Sequence, residues 1–421
     1  MRKVYRNKWS ILVLVMSVVM VLALIVSCAP AVTPPEEEVK TVKVGFLAPL
    51  SGEVAAWGLP GLYGAQLWEE EVNAAGGIQV GDEKYTVEII PYDNEYIASK
   101  ALLGAKKLVL EDKVSLVWMM GGATVAATQP FFTEQKILVM TLIPEDLSPD
   151  TPYLLAPSEG WPMYMIGGIE YIKEIHPEIE TVAIVSQDDP IGRTALAYSD
   201  AAFESLGIEV VYKKIFGVET TDFAPIVTAM LASNPDLLSW GDSYPAYVSS
   251  LTEQAYLQGW EGPLISCELF MSEVLAKVPA EWLEGAVSYQ PEWDEPMLPE
   301  ECHEFYAEYM NRWPESWGAV AWEYMAGLQV WKEAVEKAGT IEPTVVLETI
   351  KASAPSHPYG EGQWWGKDLM GTDNWLASPW PVTEVRNGKH TIVTMKSFVD
   401  WFERGNNGEI LIRILEEEGM L

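Results

Sequence analysis

The feature that most constrains this chain is a strand-then-helix alternation that runs through it twice. "VKVGFLAPL" (42–50) is a largely apolar run that stops at Pro and then Ser-Gly, the pattern of a buried strand. "GLYGAQLWEEEVNAAGG" (61–77) follows, with Leu62, Ala65, Trp68 and Val72 at helical spacing and Gly76-Gly77 as the left-handed stop. "YTVEIIPYD" (85–93), a helix over 98–110, "VSLVWMM" (114–120), a helix over 123–134 and "ILVMT" (137–141) repeat the pattern. It restarts with a helix over 161–175, then "TVAIVS" (181–186), "IEVVYKKI" (208–215), "DLLSW" (236–240) and "PLIS" (263–266), each pair separated by a helical stretch. Apolar strands at this spacing are compatible with parallel sheets covered by helices and with little else. From residue 300 the character changes. Helices are expected over 300–312, 319–337 and 343–352, then a hairpin in "VTEVRNGKHTIVTM" (382–395) turning at Asn387-Gly388. The expected fold class is α/β, two Rossmann-like lobes joined by a multi-crossing hinge. Lobe 1 is assigned 41–156 and 290–365, lobe 2 is assigned 157–289 and 366–421, and the crossings fall near Ala156, Tyr289 and Trp365.

The N-terminus carries a different message. Arg2, Lys3, Arg6 and Lys8 precede an apolar run over 11–26, and "IVSC" ends at Cys28. This layout is that of a secretory signal, residues 1–27, slightly short for a spanning helix. The junction resembles the bacterial lipobox, which implies that Cys28 becomes the lipid-carrying first residue of the mature chain. "APAVTPPEEEVK" (29–40) then makes residues 28–40 an extended, flexible tether. The expected location is extracytoplasmic, with the membrane reached only through the lipid.

Charge excludes some partners. The chain holds 27 basic and 61 acidic residues, net −34, and removal of the signal would make it more acidic. Such a body repels phosphate backbones, so nucleic acid is excluded as a partner. Apart from Cys28 only Cys267 and Cys302 occur, and the sequence leaves open whether they pair. No G-x-G-x-x-G, P-loop, H-E-x-x-H or G-x-S-x-G is present, and His176, His303, His357 and His390 do not share metal-ligand spacing. "EECHE" (300–304) reads as a solvated acidic helix start. No cofactor, metal or catalytic set is expected, and capture of a solute fits better than turnover. A secreted α/β enzyme is the rival.

In open α/β sheets ligands bind outside the carboxyl ends of the strands. That rule nominates "SGEVAAW" (51–57), "GGAT" (121–124), "LIPE" (142–145), "QDDPIG" (187–192), "GDSYP" (241–245) and "SCEL" (266–269). These segments offer Trp57, Gly122, Ala123, Thr124, Ile143, Ile191, Asp242, Ser243, Tyr244 and Glu268 to one cleft if the two lobes face each other. Most have a plainer alternative: Trp57 as a packing residue, Thr124 as a helix cap, Asp242 and Ser243 as turn formers, Glu268 as a surface acid. "QWWGKDLMGTDNW" (363–375) reads as a crossover packed with tryptophans.

The opening "VKVGFLAPLSGEVAAWGLPGLYGAQLWEEEVNAAGGIQV" resembles that of the leucine/isoleucine/valine-binding protein family, the type 1 periplasmic solute receptors of ABC importers. Pro49, Ser51, Gly52, Gly58, Gly64, Ala65, Asn73, Gly76, Gly77 and Ile78 carry the resemblance, and the order of later elements extends it over nearly all of 41–421. The resemblance implies the type 1 periplasmic binding protein fold. It implies an aromatic residue over the ligand at Trp57, and a ligand carboxylate on the hydroxyl and amides of Gly122, Ala123 and Thr124. It also implies a closing loop at Ser243-Tyr244 and an acid pairing with a ligand amine at Glu268. Partners implied are a small amino-acid-like solute and the permease and ATPase subunits of an importer; an aromatic-acid or amide receptor on the same fold, or a ligand sensor, is the alternative. Two departures stand out. Leu142-Ile143-Pro144-Glu145 replaces a hydroxyl-rich stretch, and Ile191 stands where an aromatic is common.

Overall fold

The computed structural model describes residues 40–52, 54–289, 295–353 and 355–421, and Thr41–Leu421 forms one compact unit. The signal, Cys28 and nearly all of the tether lie outside the described residues. Among the described residues no helix is long and apolar enough to cross a membrane.

The first sheet contains β1 (Lys40–Ala48), β2 (Ile78–Val80), β3 (Glu83–Asp93), β4 (Leu116–Met119), β5 (Leu138–Thr141) and β6 (Leu154–Leu155) in the order β2-β3-β1-β4-β5-β6. β1, β4, β5 and β6 run parallel, with Phe46 opposite Trp118 and Trp118 opposite Met140. Both β4 and β5 are buried throughout, as continuous apolar runs in a doubly covered sheet require. Its helices include α1 (Ala55–Ala74), α2 (Ala98–Lys106) and α3 (Ala123–Gln135). α1 begins six residues earlier than the periodicity suggests. Pro60 lies inside it, so one bond to the Ala56 carbonyl is forgone and Trp57 stands on the first turn instead of in a loop.

The second sheet contains β7 (Thr181–Gln187), β8 (Glu209–Phe216), β9 (Leu237–Trp240), β10 (Leu264–Ser266) and β11 (Val287–Ser288). Between them run α4 (Tyr164–Ile175), which precedes β7, then α5 (Pro190–Ser205), α6 (Ala224–Ala232) and α7 (Pro245–Leu257). The chain then returns to the first sheet through α8 (Glu300–Arg312), α9 (Val320–Ala338) and α10 (Pro343–Lys351). Short ribbons follow: β12 (Ser356–His357) with β13 (Gly360–Glu361), and β14 (Gln363–Trp365) with β15 (Trp375–Ala377). β16 (Trp380–Arg386) and β17 (Lys389–Lys396) complete the second sheet as an antiparallel edge, in the order β17-β16-β11-β10-β9-β7-β8. Asn387 and Gly388, at φ 53° and 74°, make the tight turn that only such residues accept readily. α11 (Phe398–Phe402) and α12 (Asn407–Glu417) close the chain, and Arg413 of α12 reaches Glu204 of α5.

The return of α9 to the first sheet is fixed by close packing. The Trp118 indole N–H donates to the Tyr324 carbonyl at 2.9 Å, and the Tyr324 ring lies 4.9 Å from Phe46 and 4.8 Å from Trp118. Beside this contact α9 meets α1 where Gly64 allows backbone contact, since a Cβ there would stand 2.2 Å from the Ala321 carbonyl oxygen. Cys267 and Cys302 are separate buried thiols. Gly64→Ala is therefore expected to lower the stability by about 1–3 kcal/mol, the usual effect of overpacking against backbone, and with it the denaturant midpoint. An unchanged midpoint would show that the two helices do not meet there.

Candidate functional site

A cavity of about 50 Å³ lies where the carboxyl ends of the two sheets face each other. Trp57, Ile143, Ile191, Asp242, Ser243 and Tyr244 line it, together with Met120, Leu142, Glu159, Trp161, Tyr164, Gln187 and Val320. Six of the ten ligand residues nominated from sequence thus meet at one place. Gly122, Ala123, Thr124 and Glu268 are not in the lining.

The start of α3 explains the first three. Gly121 and Gly122 take φ of 133° and 63°, and a Cβ on Gly121 would strike Ile143. The turn aims amides outward, as expected of an anion site, but the chain uses them itself. The Gly122 N–H donates to both carboxylate oxygens of Asp146, at 2.9 and 3.1 Å. The Ala123 N–H donates to the Tyr96 hydroxyl. The Thr124 hydroxyl, fully buried, donates to the Gly121 carbonyl at 2.8 Å. Asp146 is held further by the Thr141 hydroxyl at 3.0 Å. Burial pushes its carboxyl up to about 7 even though the Gly122 amide and Thr141 favour the charged form. Glu145, the last residue of the stretch that replaces the hydroxyl-rich one, is not in the lining; its carboxyl lies near Tyr198 of α5, and burial pushes its proton affinity up. The neighbour one position on is the residue that fills the anion pocket.

On the second sheet, short loops after β7 and β9 bring the polar groups together. The Asp189 carboxylate caps α5 by accepting from the Gly192 N–H at 2.8 Å and from the Gln187 amide at 2.6 Å. Gln187 in turn accepts from the Tyr244 N–H at 2.9 Å. The Trp161 indole donates to Asp242 at 2.6 Å, while Ser186 donates to the Asp242 carbonyl. Burial, then the nearby Asp189 charge, push the Asp242 carboxyl up to about 7 against the Trp161 bond. The Ser243 hydroxyl, on the cavity wall in a residue 3% exposed, makes no hydrogen bond among the described residues. Glu268 is buried behind the wall, near enough to Tyr164, Cys267 and Glu323 for its charge to raise the proton affinity of each.

Glu159 and Trp161 escaped the sequence reading for a definite reason. β6 is two residues long and was not recognised as a strand, so the loop at its carboxyl end, which carries both, was never nominated. Glu159 accepts from the Gly160 N–H at 2.9 Å, and its carbonyl accepts from the Trp375 indole at 2.9 Å. That second bond gives the tryptophan-rich crossover its place, supporting the cavity from behind. The Glu159 carboxyl also shares a hydrogen bond with Glu323 of α9, a residue 1% exposed. Burial raises both, and the charge of Glu159 raises Glu323 further, so the pair retains a proton. No Lys, Arg or His lines the cavity. Among the described residues no group of three or more His, Cys, Asp or Glu is arranged to hold a metal.

The carboxyl of Asp242 moves from 3.8 in an exposed setting to about 7 in the folded state, so the folded chain binds the extra proton between those values. The stability this confers is complete below about pH 4 and is lost as pH rises through about 7. His357 and His390, held down to about 4 by burial, act in the opposite sense and lose stability as pH falls. Comparing Asp242→Asn with wild type isolates one group. In the ligand-free protein the variant is expected to melt a few degrees higher at pH 8, with the difference fading at pH 5. A constant difference across that range would show that Asp242 is not desolvated.

The family model described as periplasmic binding protein matches residues 41–389. The leucine-, isoleucine-, valine-, threonine- and alanine-binding protein of Pseudomonas aeruginosa is 22% identical over 76% of this chain and 84% of its own length. An ABC transporter substrate-binding protein from Sphaerobacter thermophilus superposes with a TM-score of 0.72 at 20% identity, covering 85% of this chain and 98% of that one. A solute-binding protein of an ABC transporter from Rhodopseudomonas palustris, in complex with 3,4-dihydroxybenzoic acid, gives 0.69 at 19% identity over 85% and 97%. Two facing α/β lobes, a cavity at their carboxyl ends and a family match over most of the length lead to one conclusion: the chain belongs to the leucine/isoleucine/valine-binding family of type 1 periplasmic binding proteins.

Proposed function

We propose that this chain is the extracytoplasmic, lipid-anchored receptor of an ABC importer, which captures a small solute between two closing lobes. The observation that carries the reading is the cavity itself. Trp57, Met120, Leu142 and Ile143 come from one lobe, and Gln187, Ile191, Asp242, Ser243 and Tyr244 from the other. A solute there touches both lobes at once and favours the closed state by contacts the open state lacks. The hinge is assigned to the passages around Ala156, Tyr289 and Trp365, with lobe 1 as 41–156 and 290–365 and lobe 2 as 157–289 and 366–421. Trp57 and Tyr244 are assigned to the apolar part of the solute, Asp242 and Ser243 to its polar part. Cys28 is assigned the lipid, on the strength of the "IVSC" junction and the acidic tether. Delivery to permease and ATPase subunits follows from the family's implied partners.

Two experiments test this. Cys28→Ala should release the protein from membranes or leave the precursor uncleaved; normal processing with full membrane retention would remove the anchor. Denaturing protein purified from its own cell should release an unaltered small molecule, and adding that molecule back should compact the particle in small-angle scattering. Recovery of a chemically altered molecule would favour an enzyme instead.

A further inference from the structure

We propose that the solute is a small organic cation, an amine or quaternary ammonium with an apolar body and no carboxylate. This rests on the receptor reading above and specifies its ligand. The first support is the state of the anion pocket. At the start of α3 the Gly122 amide is taken by Asp146, the Ala123 amide by Tyr96 and the Thr124 hydroxyl by Gly121. Ile143 leans over the same turn. A solute carboxylate would have to displace the internal Asp146 carboxylate from the Gly122 amide. Repulsion from Asp146 would add to that cost.

The second support is the sign of everything around the cavity. Glu159 and Asp242 line it, Glu323 is bonded to Glu159, and Asp189 acts on Asp242, while no basic side chain lines the wall. The acids come from both lobes. Asp146 follows β5, whereas Asp189 and Asp242 follow β7 and β9, and the charges of Asp146 and Asp189 both act on Tyr96. Closing the lobes therefore brings like charges together in a water-poor space. A cation between them converts that opposition into the differential contact that a closing receptor requires.

Two further details specify the fit. Ser243 Oγ and Glu323 Oε2 are buried without hydrogen-bond partners among the described residues, and Ser243 stands on the cavity wall. The Ser243 oxygen, on the wall, can accept from an ammonium donor. Apart from Gln187, the rest of the wall is aromatic and aliphatic, with Trp57, Trp161, Tyr164 and Tyr244 beside Met120, Leu142, Ile143, Ile191 and Val320. Aromatic faces attract a desolvated cation and tolerate its alkyl groups. The cavity, about 50 Å³, is a fraction of the roughly 150 Å³ that houses benzene in an engineered core, so the cation is small or the lobes close less fully upon it.

The test uses matched probes on the whole mature protein. Isoamylamine, leucine, 4-methylpentanoate and 4-methylpentanamide share one alkyl body and differ in charge; ethylamine and choline extend the cations in size. Calorimetry and small-angle scattering are run with each. At least one cation is expected to bind ten-fold or more tightly than leucine, the anion and the amide, and to compact the particle. Asp242→Asn should weaken that cation ten-fold or more. Asp146→Ala, which frees the Gly122 amide, should shift the leucine-to-isoamylamine affinity ratio ten-fold toward leucine. Tighter binding of leucine, the anion or the amide, with compaction, overturns the cation and leaves the receptor standing. If no probe binds or compacts the protein and no solute is released on denaturation, the receptor reading falls and the cation with it.

Discussion

The hydrogen bond from Trp118 to the Tyr324 carbonyl, buried and spanning 206 positions of sequence, is the contact on which the rest of the molecule depends. It fixes α9 against the first sheet and so requires the chain to leave that sheet, build most of a second one, come back and leave again. The residues beside this contact then become useful. Val320, at the start of the same helix, reaches the cavity wall, and Glu323, one position before Tyr324, meets Glu159. One helix thus serves the core of a lobe through one face and the binding region through its first turn.

The electrostatics of the cavity are the inverse of what an amino-acid receptor would need at its carboxylate end. Helix-start amides are favourable anion sites because their donors and dipole point the same way. Here that advantage is used within the fold, by Asp146, and the turn is locked by Thr141, Tyr96 and Ile143. Elsewhere burial holds Asp242 and the Glu159–Glu323 pair in a region where losing a proton is costly. Those acids are weakly tolerated without a counter-charge, which is the physical sense in which the site is tuned for one.

Much of this was legible in the chain. The apolar runs of β1, β4, β5, β7 and β9 are buried on both faces and cannot be mistaken for alternating strands, and Gly76-Gly77 and Asn387-Gly388 stop or turn the backbone where only such residues fit. The rule that ligands gather at the carboxyl ends of parallel strands led to Trp57, Ile191 and the Asp242–Tyr244 loop. It missed Glu159 and Trp161 because β6, at two residues, carries no periodicity to detect. Asp146 was missed for another reason. Whether a carboxylate faces solvent, a ligand or its own backbone is decided by the short turn Pro144–Asp146, and a sequence shows the acid without showing its direction. Glu268 was placed correctly after β10, but burial behind Tyr164 and Cys267 is a matter of packing that no local pattern encodes.

The interleaving of the two lobes has a consequence for how the chain comes into being. The first sheet lacks α9, one of its covering helices, until residues near 324 exist, and the second lacks its antiparallel edge until β17, which ends at Lys396, has been made. Neither lobe is a contiguous segment that can lock while synthesis continues. Contacts this far apart in sequence also form slowly. A nascent chain of this design stays open for most of its length, and both lobes close only near the end of its synthesis.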